Sequence, residues 1–324
     1  MSSPSGKIDI LLSTYNGERY LRELLESIIN QSFTDWRLLI RDDGSRDKTP
    51  EILDEYHRRN PDKIILMPQA DGNLGAMLSF GKLMEYSTAS YVMFCDQDDV
   101  WLKDKIQLSF NKLLELEQKF GHERPLLVYT DSMLADQDLN VISNSMLHHM
   151  GFDRPKVAQF RNLILCNVAI GNTVIFNRAL VKLSCPIPKD ATMHDWWVAI
   201  VASAFGHVDY VPSPTVFYRQ HDDNVCGLRK KWLIGILSKF PSEYKKYYRY
   251  QEHVMKQIKA FYGHLGSLSD NKHVSKEVLM LSPLADLNKL GYWKRKSFLF
   301  SFYKECTYRF KAIVDLILYF KIYR

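Results

Sequence analysis

The sequence predicts an α/β fold in which helices cover both faces of a largely parallel sheet. Apolar runs of strand length alternate with segments of helical periodicity in the first half of the chain, which is typical of a doubly wound sheet. The run Tyr91–Cys95 is mostly apolar throughout, as expected of a strand buried on both faces. Polar clusters directly follow several of these runs, at the point where such sheets bind ligands.

The first half supplies five predicted strands and the helices between them. The strands cover residues 8–13, 36–40, 64–67, 91–95 and 126–130. Helical spacing of apolar residues marks 20–29, 75–85 and 103–120. A further helix starts at Thr49, because Pro50 follows it and proline is favoured at the first helical position.

In the second half the alternation becomes irregular. Strands are predicted at 171–176 and 210–218, with a helix at 196–205, and the chain from 228 onward is mostly helical. We therefore expect a domain boundary near Gly227. Residues 1–227 would form the α/β domain and residues 228–324 a basic, amphipathic helical extension.

Composition indicates a folded protein of a reducing compartment. Of 324 residues, 46% are apolar and 25% charged, which is ordinary for a globular protein. Five scattered cysteines without a CxxC pair argue against a disulfide framework or a zinc cluster. The first residues lack the apolar core of a signal peptide, and no apolar run approaches the roughly 18 residues of a spanning helix. We expect a cytoplasmic protein.

The net charge of +6 is concentrated in the last 33 residues. Positions 292–324 contain eight Lys or Arg against Glu305 and Asp315, so residues 1–291 are electrically balanced. A neutral body argues against nucleic acid as a partner.

Common phosphate-binding loops are absent. No GxGxxG follows the first strand, which disfavours a dinucleotide oxidoreductase. The segment from Gly75 to Gly81-Lys82-Leu83 has one residue too many for a P-loop, and Leu stands where Ser or Thr would bind Mg²⁺. A nucleotide site must therefore use side chains at strand ends.

Three polar clusters occupy such positions. They are Thr14–Tyr15–Asn16, Asp42–Asp43 and Asp96–Gln97–Asp98, the last continued by Asp99. Carboxylates crowded in a cleft repel one another, and a divalent cation with oxygen ligands relieves the conflict. The alternatives are an acidic turn that caps the next helix and an ordinary Asp-Asp-Gly-Ser turn. If the strands are parallel, all three clusters share one edge.

Seven motifs follow one another along the chain. They are STYNG (13–17), RDDGS (41–45), NLG (73–75), CDQDDVW (95–101), GNTVIFNR (171–178), HDWW (194–197) and FYRQHDDN (217–224). Together they resemble the motifs of the inverting glycosyltransferases of family 2. The likeness covers about residues 8–227. It is strongest to bacterial rhamnosyltransferases of surface polysaccharide synthesis. The resemblance implies the GT-A fold, a nucleotide-sugar donor and Mn²⁺ or Mg²⁺ as cofactor.

The resemblance also implies roles for individual residues. Nucleotide-sugar binding falls to Thr14, Tyr15, Asn16, Asp42, Asp43, Asn73, Gly75, Asp96, Gln97 and Asp99. Asp98 and His221 would bind the metal, Asp195 would be the general base, and Asn172, His194, Trp196 and Trp197 would form an acceptor or sugar platform. The family usually has Glu where this chain has His194, which leaves the role of that position open.

The chemistry requires the same groups independently. Inversion at an anomeric carbon needs a base that takes the proton of an acceptor hydroxyl, and a cation stabilises the departing diphosphate. Asp195 could instead cap a helix, at most one of Trp196 and Trp197 is expected to face sugar, and His221 could be an ordinary core or surface histidine.

The expected donor is dTDP-β-L-rhamnose, which gives an α-rhamnosyl linkage on a glycan or lipid-linked acceptor. The alternative donor is a UDP-hexose. The alternative function is that of a non-catalytic, membrane-docked glycan-binding protein.

The C-terminal tail carries an apolar stripe with basic residues beside it. The stripe consists of Leu299, Phe302, Tyr303, Cys306, Phe310, Ile313, Ile317 and Phe320. This pattern is typical of a helix on an anionic membrane and predicts a peripheral protein at the inner face of the cell membrane. Packing on the body, or at a homodimer interface, is the alternative.

Overall fold

The computed structural model describes residues 8–68, 72–152, 158–221, 241–267 and 274–305. In these ranges nine strands form one sheet. The strands are β1 Ile8–Thr14, β2 Trp36–Asp42, β3 Ile64–Leu66, β4 Tyr91–Cys95, β5 Val100–Trp101, β6 Leu126–Ala135, β7 Val141–Ser143, β8 Val174–Asn177 and β9 His207–Arg219.

Helices cover both faces of the sheet. They are α1 Leu21–Ile29, α2 Thr49–Arg59, α3 Gly75–Tyr86, α4 Lys105–Phe120, α5 Met146–His149, α6 Phe160–Leu163, α7 Arg178–Ser184, α8 His194–Phe205, α9 Pro241–Ser267, α10 Lys276–Met280 and α11 Tyr292–Glu305. Two 3-10 segments, Gly171–Thr173 and Ser282–Lys289, complete the described regular structure.

The strand order is β3-β2-β1-β4-β8-β6-β9-β5, with β7 beside β6. The first four strands of this order run parallel, whereas β8 is antiparallel to both β4 and β6. Thr14 pairs with Asp42 and Leu12 pairs with Cys95. The predicted mixed α/β sheet is confirmed, and the polar clusters after β1, β2 and β4 share one edge.

The sheet separates two apolar layers. Alternation along each strand sends Leu11 and Phe94 to one face, with α3, α7 and α8, and sends Ile10 and Met93 to the other, with α1, α2 and α4. Such burial on both faces explains why the central strands are apolar throughout.

The predicted strand at 171–176 begins three residues late. Gly171–Thr173 forms a 3-10 turn, because both the backbone N–H and the hydroxyl of Thr173 donate to the carbonyl of Ile170, at 2.8 and 2.7 Å. This turn places Gly171 and Asn172 at the functional edge instead of within the sheet.

The C-terminal helices share the core of the body. Ile258 and Phe261 of α9 pack in the same cluster as α8, and so do Leu299 and Phe302 of α11. The membrane-facing interpretation of the tail stripe is therefore wrong for Leu299 and Phe302, since burying them against the body removes them from any lipid.

The side chains of the stripe from Tyr303 onward, and the expected boundary near Gly227, lie outside the described part of the chain. Among the helices that are described, none has the length and apolar character needed to cross a bilayer.

Candidate functional site

The loop after β2 is organised by the carboxylate of Asp42. This carboxylate accepts hydrogen bonds from the Thr14 hydroxyl at 2.9 Å and from the Ser45 backbone N–H and hydroxyl, at 2.9 and 2.5 Å. Thr14 and Asp42 are buried, whereas the neighbouring Tyr15 ring is exposed. A buried polar pair beneath an exposed aromatic ring can support a bound base.

Gln97 connects the first strand end to the third. Its side-chain carbonyl accepts from the Tyr15 backbone N–H at 2.9 Å, and its amide donates to the Tyr15 carbonyl at 3.0 Å. A Cβ at Gly17 would lie 2.5 Å from Gln97 Oε1, so any larger residue there would displace this side chain. Asn16, at φ 48°, accepts from the Arg46 backbone N–H at 2.9 Å.

Asp43 holds the 73–75 loop against β2. Its carboxylate accepts the backbone N–H groups of Leu74 and Gly75, at 2.8 and 2.7 Å, and pairs with the Arg41 guanidinium. The Asn73 amide donates to the Asp43 carbonyl at 2.8 Å. The Asp43 carboxylate therefore has hydrogen-bond and ion-pair partners within the protein. Its contact with a nucleotide stays a prediction.

The acidic motif after β4 combines a buried carboxylate with more accessible ones. Asp99 is fully buried and accepts from the Asn172 amide and from the Arg219 backbone N–H, the latter at 3.0 Å. The Asp98 carboxylate lies 2.8 Å from His221 Nε2. The two predicted metal ligands are therefore neighbours.

Charge repulsion in this motif is visible in its proton affinities. Burial, followed by the charges of Asp98 and Asp195, raises the pKa of Asp96 to about 8. Burial and the same crowding raise the pKa of Asp99 well above its ordinary value. The cluster thus favours an added positive charge.

The donor set of Asp98 and His221 fits a divalent cation. The ranges that the structure describes contain no group of three or more His, Cys, Asp or Glu side chains arranged around a metal position. Mg²⁺ is commonly held by one or two protein ligands together with phosphate oxygens and water. A carboxylate and an imidazole at this edge therefore suit a cation that arrives with a diphosphate.

Asp195 lies at the start of α8, close to the acidic motif. Its carboxylate accepts from the Gly171 backbone N–H at 2.8 Å and from the Trp196 backbone N–H at 2.6 Å. Burial nevertheless raises the pKa of Asp195 to about 6. Its charge acts on Asp96, so the two carboxylates belong to one site.

Two adjacent residues link the candidate base to the acidic motif. The Gly171 N–H binds Asp195, and the Asn172 side chain binds Asp99. A Cβ on Gly171 would lie 3.3 Å from His194 Nε2 and 3.6 Å from Asp195 Oδ2, so this approach suits glycine best. Asn172 is buried and its amide donates to Asp99; its expected contact with an acceptor stays a prediction.

Trp196 and Trp197 of the expected platform lie in the core instead of at the site. Trp196 and Trp197 are buried, and their indole N–H groups donate to the carbonyls of Leu163 and Ser184, at 2.5 and 3.0 Å. Successive helix positions point in different directions, so Asp195 reaches the site while the two indoles fill the core.

His194 belongs to the core as well. Its ring stacks on Phe80 at 3.9 Å and meets the edge of Phe94 at 4.6 Å. Burial lowers the pKa of His194 to about 3, so the ring is neutral. Within the described residues neither ring nitrogen has a hydrogen-bond partner.

Sequence reasoning missed Arg219. This buried arginine donates from Nε to the Asp98 carbonyl at 2.8 Å and from Nη1 to the Gln137 carbonyl at 2.5 Å, and it pairs with Glu23 of α1. Its guanidinium carbon lies 4.3 Å from the centroid of the Tyr20 ring. The feature of the sequence that could have identified this residue is an arginine at the end of an apolar strand, beside an acid-rich motif.

Lys105 was also missed. It is fully buried at the start of α4, with Nζ 3.4 Å from Thr215 Oγ1 and 4.7 Å from the centroid of the Trp101 ring. Burial lowers the pKa of Lys105 to about 7, against the opposing charges of Cys95, Asp99 and Asp96. A pKa of about 7 leaves this amine partly protonated at neutral pH behind the acidic motif.

Comparison with known proteins agrees with this geometry. Residues 9–120 match the model of the family described as glycosyl transferase family 2, and the resemblance read from the motifs is confirmed. The chain is 28% identical over 221 residues to the dTDP-rhamnosyl transferase RfbG of Shigella flexneri, covering 67% of this chain and 73% of that protein. Two other curated glycosyltransferases are matched over only 51% and 31% of their own lengths.

Solved structures confirm the predicted GT-A fold. Residues 1–349 of TarS from Staphylococcus aureus, in complex with UDP, superpose with a TM-score of 0.54 at 16% identity over 90% of this chain and 78% of that one. The mannosyltransferase PcManGT of Pyrobaculum calidifontis, with GDP-Man and Mn²⁺, gives 0.52 at 14% identity over 100% and 83%.

Proposed function

From the match of residues 9–120 to the model of glycosyl transferase family 2, we propose that the chain is an inverting, metal-dependent glycosyltransferase. It moves a sugar from a nucleotide diphosphate to a glycan acceptor. One observation carries the proposal: the Gly171–Asn172 pair joins Asp195 to an acidic motif that follows a parallel strand. A base and a diphosphate site held by the same turn are the two groups that displacement at an anomeric carbon needs.

The donor side uses the three strand ends. Tyr15 covers the base, which Thr14 and Asp42 support from below, with Asn16, Gln97 and the 73–75 loop shaping the pocket wall. We assign Asp43, Asp96 and Asp99 to the nucleotide and sugar end, where the buried Asp43 and Asp99 hold the surrounding loops in place. The structures with UDP and with GDP-Man support a nucleotide-sugar donor for this chain.

The metal proposal rests on Asp98 and His221. These two residues would hold Mn²⁺ or Mg²⁺ at the donor diphosphate, and the neighbour with Mn²⁺ supports this assignment. When bound, the cation supplies positive charge for the departing diphosphate. Arg219 keeps the Asp98 backbone in place through its 2.8 Å hydrogen bond.

The acceptor side uses Asp195 as general base. Its two N–H donors fix the carboxylate, and a pKa of about 6 leaves it ionised at neutral pH while it remains basic enough to accept a hydroxyl proton. The carboxylate takes the acceptor proton as the acceptor oxygen attacks the anomeric carbon. The bond between that carbon and the diphosphate breaks on the opposite side.

We further propose that the donor is dTDP-β-L-rhamnose and that the product carries an α-rhamnosyl linkage. The relative named as a dTDP-rhamnosyl transferase supports this choice. A UDP-hexose is the second candidate, since the structure with UDP shares the fold. Titration calorimetry with dTDP and UDP separates the two: tighter binding of UDP would reject the rhamnose donor.

The proposed acceptor is a growing surface polysaccharide, either lipid-linked or an oligosaccharide. The enzyme would work at the inner face of the membrane, as a monomer or a homodimer.

The decisive experiment is a screen of nucleotide sugars for turnover, with and without Mn²⁺. We expect turnover of one donor class that depends on the cation. Asp98→Ala should lower the rate about a hundredfold, while Asp104→Ala, an exposed aspartate nearby without a capping bond, leaves it unchanged. Binding of a glycan without turnover of any donor would favour the non-catalytic alternative.

A further inference from the structure

Helix α11 exposes an aromatic face that the fold does not use. Trp293 and Phe300 are 77% and 68% exposed. They are seven residues apart, which places them on the same side of a helix, two turns from each other. Ser297, between them, is also exposed. We name Trp293, Ser297 and Phe300, with the flanking Lys294 and Lys296, the aromatic–lysine face.

The opposite side of α11 fixes the orientation of this face. Leu299 and Phe302 are buried in the main core, and Phe298 packs against it. The Arg295 guanidinium donates to the Leu290 carbonyl at 3.1 Å. The inward side of α11 thus packs on the body, whereas the Trp293 ring contacts its helix neighbours Tyr292 and Lys296.

The charge of the face is uniformly positive. From Tyr292 to Lys304 the sequence has four basic residues and no acidic one. Lys294 is exposed, and Lys296 Nζ lies 4.8 Å from the centroid of the Tyr292 ring and 5.7 Å from that of Trp293. Lysines beside large aromatic rings match the headgroup region of an anionic bilayer, where rings enter the interface and cations meet phosphates.

We propose that the aromatic–lysine face is the surface by which this protein docks on an anionic lipid bilayer, with α11 lying in the plane of the interface. Charge complementarity selects this occupant, because exposed lysines beside exposed aromatic rings match anionic headgroups above an apolar interior. The proposal deepens the proposed function, since it rests on a membrane-resident acceptor, but its own evidence is the exposure and charge of α11.

Vesicle sedimentation with the full chain tests the proposal. The two vesicle types are phosphatidylcholine alone and an equal mixture of phosphatidylcholine and phosphatidylglycerol. We expect binding to the mixed vesicles only. The double variant Trp293→Ser, Phe300→Ser should lose roughly tenfold or more in affinity, and Lys294→Gln, Lys296→Gln should lose the preference for phosphatidylglycerol.

A matched control uses exposed apolar residues of the body. Tyr86 and Leu108 are 52% and 41% exposed, and Tyr86→Ser, Leu108→Ser should bind the mixed vesicles like the unaltered chain. Equal binding by the Trp293, Phe300 double variant would overturn the proposal. A fall from dimer to monomer mass in that variant, with vesicle binding unchanged, would assign the face to a second copy of the chain instead.

Donor turnover without vesicles separates this proposal from the proposed function. A chain that turns over a nucleotide sugar but ignores vesicles rejects the docking surface alone. A chain that binds vesicles through α11 and turns over no donor rejects the enzymatic function alone.

Discussion

The donor half and the acceptor half of the site are built differently. On the donor half, whole loops follow parallel strands, and nearly every polar residue of STYNG, RDDGS and CDQDD lies at one edge of the sheet. On the acceptor half, HDWW begins a helix, so Asp195 reaches the site while His194, Trp196 and Trp197 enter the core. The residues of a loop after a strand stay together at one edge of the sheet, whereas consecutive residues of a helix point in different directions around its axis.

Among the variants that test this difference between the two halves, Asp195→Asn should lower the activity most. The amide keeps the shape of the carboxylate but cannot accept the acceptor proton, so we expect kcat to fall about a thousandfold. Calorimetry should show unchanged donor nucleotide binding. The matched control is Asp190→Asn, an exposed aspartate just before α8, which should keep full activity. A loss of less than threefold would remove Asp195 from the mechanism.

Arg219→Lys tests whether β9 holds the Asp98 loop of the donor half in place. Lysine cannot reach the Asp98 carbonyl, the Gln137 carbonyl and Glu23 together. We expect kcat/KM to fall roughly tenfold or more, and the Mn²⁺ concentration for half-maximal activity to rise, because the Asp98 loop is less well held.

The control for that variant is Arg22→Lys on α1. Arg22 also pairs with a glutamate, Glu55, but at an exposed site, where solvent and salt screen the pair. If both variants respond to Mn²⁺ like the unaltered enzyme, Arg219 has only a structural role.

The pH dependence of kcat/KM sharpens the assignment of the base. Burial raises the pKa of Asp195 to about 6, and the base works only when ionised. Activity should therefore be constant well above pH 6 and fall about tenfold per pH unit below it. Steady-state rates across the acid range, with circular dichroism to confirm that the fold persists, measure this. A profile that stays flat down to pH 5 would contradict the assignment.

Trp196→Phe should have the smallest effect on catalysis. The indole N–H bond to the Leu163 carbonyl is lost inside the core, so we expect the free energy of unfolding to fall by about 1–2 kcal/mol with kcat and the acceptor KM almost unchanged. Denaturant melts and acceptor titrations measure the two quantities. A large rise in acceptor KM at unchanged stability would restore the sugar platform.

Sequence reasoning succeeds where local order determines position. The apolar strands and the residues directly after them, such as Thr14, Asp42 and Asp98, lie where the alternation predicts, because parallel pairing aligns their ends. It fails where tertiary contacts decide. Neither the burial of Asn172 under Asp99 nor the reach of Arg219 to Glu23, 196 positions earlier, leaves a periodic pattern. The prediction for Leu299 and Phe302 of the tail stripe fails for the same reason, since periodicity shows that a helix is amphipathic but not which surface covers its apolar side.

The Gly171–Asn172 turn has a consequence for engineering. Gly171 binds the acceptor-side base and Asn172 binds a donor-side acid, so one short segment fixes both parts of the site. Donor specificity and acceptor specificity therefore cannot be exchanged independently. A chimaera that takes its C-terminal half from a relative should stay active only when the incoming segment has a glycine and an asparagine at these two positions.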